Sequence, residues 1–186
     1  MTRLPEVTRE AIPEELREAF DELVAANGGK VPSGGPARVT INSPEMARRR
    51  GPLSTYLRTE TKIPERLLEL AILTSVRRLD CPYAWNAHAP AARRAGISDA
   101  LIDALRDNQP LPAMPADESA VVQFGTELFN THRVSDDTFQ AALGQLGAQQ
   151  LVDLTALMGY YAQVAFFLNA FEVDLPDRKG EPPLPV

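Results

Sequence analysis

The stretch Leu79 to Pro90 reads LDCPYAWNAHAP and holds the only cysteine of the chain (Cys81), its only tryptophan (Trp85) and one of its two histidines (His88). A thiol and an imidazole this close suit nucleophilic or proton-transfer chemistry. Cys81 precedes Pro82 at the expected start of a helix, where free N–H groups and the positive end of the helix dipole stabilise a thiolate. His88 follows seven residues later, two helical turns on, so it shares a face with Cys81 but cannot touch it directly. Between them Ala84 offers only a methyl group. An imidazole titrates near neutrality and can serve as acid or base.

A third group lies in PERLLELAILTSVRRL, where Leu67, Leu68, Leu70, Ala71, Ile72 and Leu73 surround Glu69. Apolar on nearly every side, this segment predicts a buried helix. A carboxylate inside it must be paired, hydrogen-bonded or protonated, unless Glu69 occupies a narrow exposed edge. Glu65 reads as a plain first-turn acid. Taken singly, each residue has an ordinary explanation: Cys81 as a small buried hydrophobe, His88 as a satisfied structural residue, Tyr83 and Trp85 as core packing. The joint placement gives them weight. Two sequential helices must form a hairpin around Asp80–Pro82, and a hairpin can bring Glu69, Cys81 and His88 to one cavity.

The elements that position this hairpin are helical. Apolar residues recur at helical spacing almost everywhere and alternating strand patterns are nearly absent, which predicts an all-α domain of about eight helices. The first opens at Pro13 and closes at Gly28-Gly29. Residues 28–41 read as a loop. Helices follow from Asn42-Ser43-Pro44 to about Thr59, from Pro64 to near Leu79, and from Cys81 to Gly96. A short one is capped by Ser98 and reaches Arg106; the next runs from Asp117 to Thr131. Ser135 caps another that ends near Gly147, and the last covers about 148–171. Residues 1–175 are expected to form one domain. Residues 176–186 are a Pro-rich tail, either a frayed end or an arm laid across a neighbouring subunit.

Composition narrows the function. The 186 residues are 44% apolar and 24% charged, with a formal charge of −6, which suits one soluble globular domain and argues against a nucleic-acid surface. The run Ala47-Arg48-Arg49-Arg50 reads as a solvated helix end. A lone cysteine excludes an internal disulfide and fits a reducing cytoplasm. The N-terminal segment lacks the apolar core of a signal peptide. The apolar stretch 162–171 is interrupted by Gln163 and Asn169 and is too short to span a bilayer. No membrane partner is expected. The histidines lie far apart without ligand spacing, so neither metal nor cofactor is expected. His132 reads as a helix-end cap, and Tyr160-Tyr161 as core residues able to line a pocket against the Cys81 helix.

The pattern of Glu69, eleven residues, Cys81, two residues, Ala84, three residues, His88 resembles the AhpD-like, carboxymuconolactone decarboxylase family. The flanks ELAILTSV and CPYAWNAHAPAARRAGISDALIDAL look like the same family, as do FGTELFNTHRVSDDTF and LVDLTALMGYYAQVAFFLNAFEVDL downstream. The likeness runs from about Leu4 to Leu175. It implies an AhpD-like helical fold, a homo-oligomer, and a site near the Cys81–His88 helix close to a subunit interface.

The redox branch of that family carries Cys-x-x-Cys, whose second cysteine attacks peroxide while the first resolves it and Glu and His relay the proton. By position, Glu69 belongs to the relay, His88 is its base and Cys81 is the resolving thiol. The attacking position is Ala84, which has no sulfur. Cys81 would then itself attack peroxide and be resolved by an external thiol reductant, or pair across a subunit interface; either requires an accessible thiol with a lowered pKa. The decarboxylase branch acts without the cysteine pair on a small carboxylated lactone of aromatic catabolism, and there His88 would be the acid or base. Tyr83 and Trp85 resemble the YEW segment of non-dithiol members and are candidates for substrate binding. Arg77, Arg78, Arg93 and Arg94 are nearby cations, none singled out. The leading expectation is a thiol-dependent, alkyl hydroperoxide-reducing peroxidase using Cys81, Glu69 and His88. The alternatives are a cofactor-free decarboxylase or lyase using His88 and Glu69, and a non-catalytic helical oligomer.

Overall fold

A computed structural model describes residues 2–176 and 180–186. Among the described residues the regular structure is entirely helical: α1 (Arg17–Ala26), α2 (Gly35–Thr40), α3 (Pro44–Thr55), α4 (Glu65–Arg78), α5 (Pro82–Arg94), α6 (Asp99–Arg106), α7 (Ala116–Thr131) and α8 (Asp136–Ala170). A π-helical turn, Tyr56–Glu60, prolongs α3.

Helix α4 is the axis of the fold. Every residue from Leu67 to Arg77 is buried, because α5, α7 and α8 all pack against it. Within that run the Thr74 and Ser75 hydroxyls donate to the carbonyls of Leu70 and Ala71, at 2.8 and 2.7 Å, so neither brings an unsatisfied group into the core. Leu70, Ile72, Leu73 and Val76 are fully enclosed. At roughly 1.5–3 kcal/mol for each large apolar side chain removed from water, this helix supplies much of the burial that holds the domain together.

The hairpin between α4 and α5 is tied at several points. Asp80 takes a left-handed conformation (φ +44°) and its carboxylate pairs with Arg77. The Cys81 N–H donates to the Val76 carbonyl at 3.0 Å. Asn169 on α8 donates to the carbonyl of Leu79 at 2.8 Å, fixing the turn against the far end of the chain. Gly96, at φ +98°, ends α5 where the sequence places a left-handed stop.

Three features differ from the sequence reading. The segment read as a loop over 28–41 contains α2, with Pro36 in its first turn; the Asn42 side chain closes it by donating to the carbonyls of Arg38 and Val39. The two final helices run on as α8, although Gly147 (φ 71°, ψ 167°) breaks the helical backbone at the expected boundary. By length and composition α8 is apolar enough to cross a bilayer, longer than the interrupted stretch 162–171 suggested, and much of it packs here on α4 and α7 as a core helix. The described part of the tail lies on its own chain. Glu181 pairs with Arg93 at 3.2 Å and Leu184 joins the core, so this part is packed rather than frayed. Residues 177–179 of that tail lie outside the described residues.

Candidate active site

Glu69 on α4 and His88 on α5 meet across the hairpin. Glu69 Oε2 lies 2.8 Å from His88 Nδ1, with side chains only 11% and 13% exposed. With Glu69 ionised, a carboxylate that only accepts, the shared hydrogen belongs to Nδ1 and Nε2 carries the free lone pair of a neutral imidazole. The ring is also held edge-on by Tyr161 of α8, with centroids 5.0 Å apart and planes at 90°. His88 then opens onto a cleft of about 140 Å³ whose walls include Ala84, Ala87, Val164 and Leu168. A buried acid orienting an imidazole at the edge of a small apolar cleft is equipped for proton transfer.

Cys81 does not take the part expected of it. It caps α5, and the N–H groups of Ala84 and Tyr83 do lower its pKa, but burial is the larger effect and pushes the thiol up to about 11. Its relative exposure is 0%, and it is not among the residues that line the cleft. The helix terminus lowers the thiol pKa as expected, and desolvation outweighs it.

The two aromatic candidates separate. Tyr83 lines the cleft, its ring packed on Gly35, where a Cβ would stand 3.2 Å from the Tyr83 hydroxyl. Gly35 also has φ +56°, so both conformation and contact favour glycine there. Trp85 is completely buried in the core, with Nε1 lacking a hydrogen-bond partner, and does not reach the cleft. It is a packing residue in this fold rather than a substrate contact.

Sequence reasoning missed Arg50 and Arg58, which line the same cleft. Arg50 was grouped with a solvated run, yet only its neighbours behave that way: Arg48 and Arg49 both pair with Glu45. Arg50 instead sits 4.4 Å over the Tyr160 ring, and its Nε donates to Gln163 Oε1 at 3.1 Å. Arg58 reaches the cleft from the π-helical turn, a distortion often found at functional sites. The helical phase of Arg50 against Glu45 was the available signal, since positions three and four residues on face Glu45 and the next does not. Tyr160 and Tyr161 do line the pocket against α5. Of the cations near the motif, Arg77 pairs with Asp80, Arg93 with Asp99, Asp103 and Glu181, and Arg78 with the Thr126 hydroxyl; neither these nor Arg94 lines the cleft. His132 ends α7 at φ +62°, its backbone N–H donating to Leu128.

The all-helical architecture agrees with the comparisons to known proteins. Residues 44–124, from α3 into α7, match the carboxymuconolactone decarboxylase family. The chain takes the AhpD-like helical fold. An AhpD-core, peroxidase-related protein of Ralstonia eutropha JMP134 superposes with TM-score 0.70 at 17% identity, covering 95% of this chain and 93% of that one. A peroxidase-related protein of Silicibacter sp. TM1040 gives 0.66 at 16%, covering 95% and 92%. The debrominase Bmp8 gives 0.66 at 14%, covering 93% and 91%. Among curated proteins, none matches the sequence significantly.

Proposed function

We propose that this chain is a carboxymuconolactone decarboxylase-family, AhpD-like enzyme that carries out cofactor-free acid–base chemistry of the lyase type on a small molecule, with His88 transferring the proton and Glu69 positioning it. The observation that carries this reading is the 2.8 Å Glu69–His88 contact at the edge of the cleft, from which the chain's only thiol is absent. On a small carboxylated lactone, the bond from carbon to the departing carboxylate breaks and carbon dioxide leaves. The electron pair passes to the neighbouring carbonyl as an enolate; His88, made an imidazolium by taking a proton from solvent at Nε2, gives it to carbon and returns to the neutral imidazole. Glu69, negatively charged and in contact, stabilises that imidazolium before it gives up its proton.

The thiol peroxidase reading asks for a thiolate that can reach peroxide. With the Cys81 thiol pushed up to about 11, only about one molecule in 10⁴ carries a thiolate at pH 7. The sulfur is also sealed from solvent. Both facts weigh toward the sulfur-free chemistry.

The test is a paired assay on the full chain: carbon dioxide release from a carboxymuconolactone, and peroxide consumption with an external dithiol. Carbon dioxide release that survives Cys81→Ala and disappears in His88→Ala supports the proposal. Peroxide consumption that Cys81→Ala abolishes overturns it.

A further inference from the structure

We infer that Arg50, assisted by Arg58 at the rim, is a specificity-determining residue that holds the anionic group of a compact, largely apolar substrate, most simply a carboxylate on a small ring. The inference rests on the cleft being the site proposed above, but it concerns binding and does not depend on which bond the enzyme breaks.

Arg50 has the features of an anion receptor. Its Nε is satisfied by Gln163, its guanidinium carbon lies 4.4 Å over the Tyr160 ring with Phe167 at 5.9 Å, and its Nη2 is buried without a hydrogen-bond partner. Among the described residues no carboxylate pairs with it, in a protein with net charge −6 whose adjacent Arg48 and Arg49 both find Glu45. Burial lowers the Arg50 pKa and outweighs the opposing effect of the two tyrosines, as expected for a desolvated cation without a carboxylate partner. Stacking on an aromatic face fixes the orientation of the guanidinium fork and leaves its edge for a planar acceptor.

Arg58 adds a second positive group at the same opening. Both arginines act on the Tyr161 hydroxyl, drawing its pKa down against the burial that raises it; Glu69 acts on it too, but Glu69 Oε2 is engaged by His88. Ala84, Ala87, Val164 and Leu168 give the cleft an apolar wall, and Tyr83, Tyr160 and Tyr161 complete its lining with aromatic rings. Two cations with no carboxylate partner among the described residues, at a mostly apolar cleft of about 140 Å³, fit a small ring bearing one negative charge better than a neutral ring or a long chain.

The experiment is equilibrium binding of 2-furoate and its neutral isostere 2-furamide to the full chain, followed by calorimetry and by NMR of the His88 ring. Furoate should bind at least tenfold more tightly than furamide. Arg50→Gln should remove that preference, Arg50→Lys should restore only part of it, and Arg58→Gln should weaken it less. Equal binding of the two probes to the wild-type protein, or a preference unchanged in Arg50→Gln, overturns the inference. The amide control uses unmutated protein, so an unstable variant does not leave the question open. His88→Gln separates the two claims. Retained furoate preference with lost turnover supports both. Retained preference in a protein whose turnover never depended on His88 removes only the acid–base reading, and absent preference with His88-dependent turnover removes only this one.

Discussion

Glu69 Oε2 stands 2.8 Å from His88 Nδ1 across the α4–α5 hairpin, and this contact decides which imidazole nitrogen is free to work. Replacing Glu69 by Ala should release the ring and lower turnover about a hundredfold, within the range that positioned acid–base groups contribute. A structural role alone would not alter the tautomer. Nitrogen NMR of the imidazole should show the Nδ1–H form giving way to a mixture in Glu69→Ala. An unchanged tautomer with near-normal turnover would mean that Glu69 merely fills space.

Cys81 gives a prediction with a definite pH window. Its folded-state pKa is raised to about 11 from an ordinary 9.0, so the folded protein keeps the proton where the unfolded chain has lost it. The contribution to stability is complete below pH 9 and is lost as pH rises toward 11. The stability difference between wild type and Cys81→Ala should therefore shift against wild type by up to about 2 kcal/mol over that interval, read from denaturant melts at each pH. Native-state alkylation should keep accelerating through pH 10 without a plateau. A plateau near pH 7 would restore the thiol to the chemistry.

The same residue shows why part of the site was legible in sequence and part was not. Helix α4 announces itself by apolar monotony, and α5 by Pro82 at one end and Gly96 at the other. The hairpin and the meeting of Glu69 with His88 follow from those two elements. Cys81 is subject to two opposed effects, the helix terminus and burial, and sequence shows the first but not the size of the second. Arg50 was hidden because its partners Tyr160, Gln163 and Phe167 lie on α8, far along the chain, whereas the partner of Arg48 and Arg49 is one turn away. Helix α2 was missed because six residues containing a glycine and a proline carry too little periodicity to outweigh their loop-like composition.

The tail offers a stability test that separates charge from burial. Glu181 is 7% exposed at its side chain and contacts Arg93, whose charged form is favoured by Glu181, Asp99 and Asp103 against the desolvation that opposes it. Glu181→Gln leaves two carboxylates on Arg93, so the loss should be about 1 kcal/mol. Removing residues 181–186 also exposes the face that Leu184 covers and should bring the total to about 2–4 kcal/mol. Chemical denaturation of the two variants should show these as distinct steps. Equal midpoints for wild type and truncation would mean that the tail does not hold this position in solution.

Gly125 tests how closely α7 approaches the central helix. A Cβ at this position would lie 2.9 Å from Thr74 Cγ2 on α4 and 2.8 Å from Met158 Cε on α8. Its backbone is ordinary helix, so alanine should gain about 1 kcal/mol in helix propensity. The two contacts differ in how readily they yield. Met158 can swing its terminal methyl aside, but Thr74 is β-branched, buried, and bonded through its hydroxyl to the Leu70 carbonyl at 2.8 Å, so its methyl is held. Overpacking should therefore outweigh the propensity gain, and Gly125→Ala should lower stability by about 1–2 kcal/mol. The paired variant Gly125→Ala with Thr74→Ser deletes the resisting methyl and should recover most of that loss. A double-mutant cycle measured by denaturant melts gives the coupling directly, and a value near zero would show that the α4–α7 interface is looser than this contact requires.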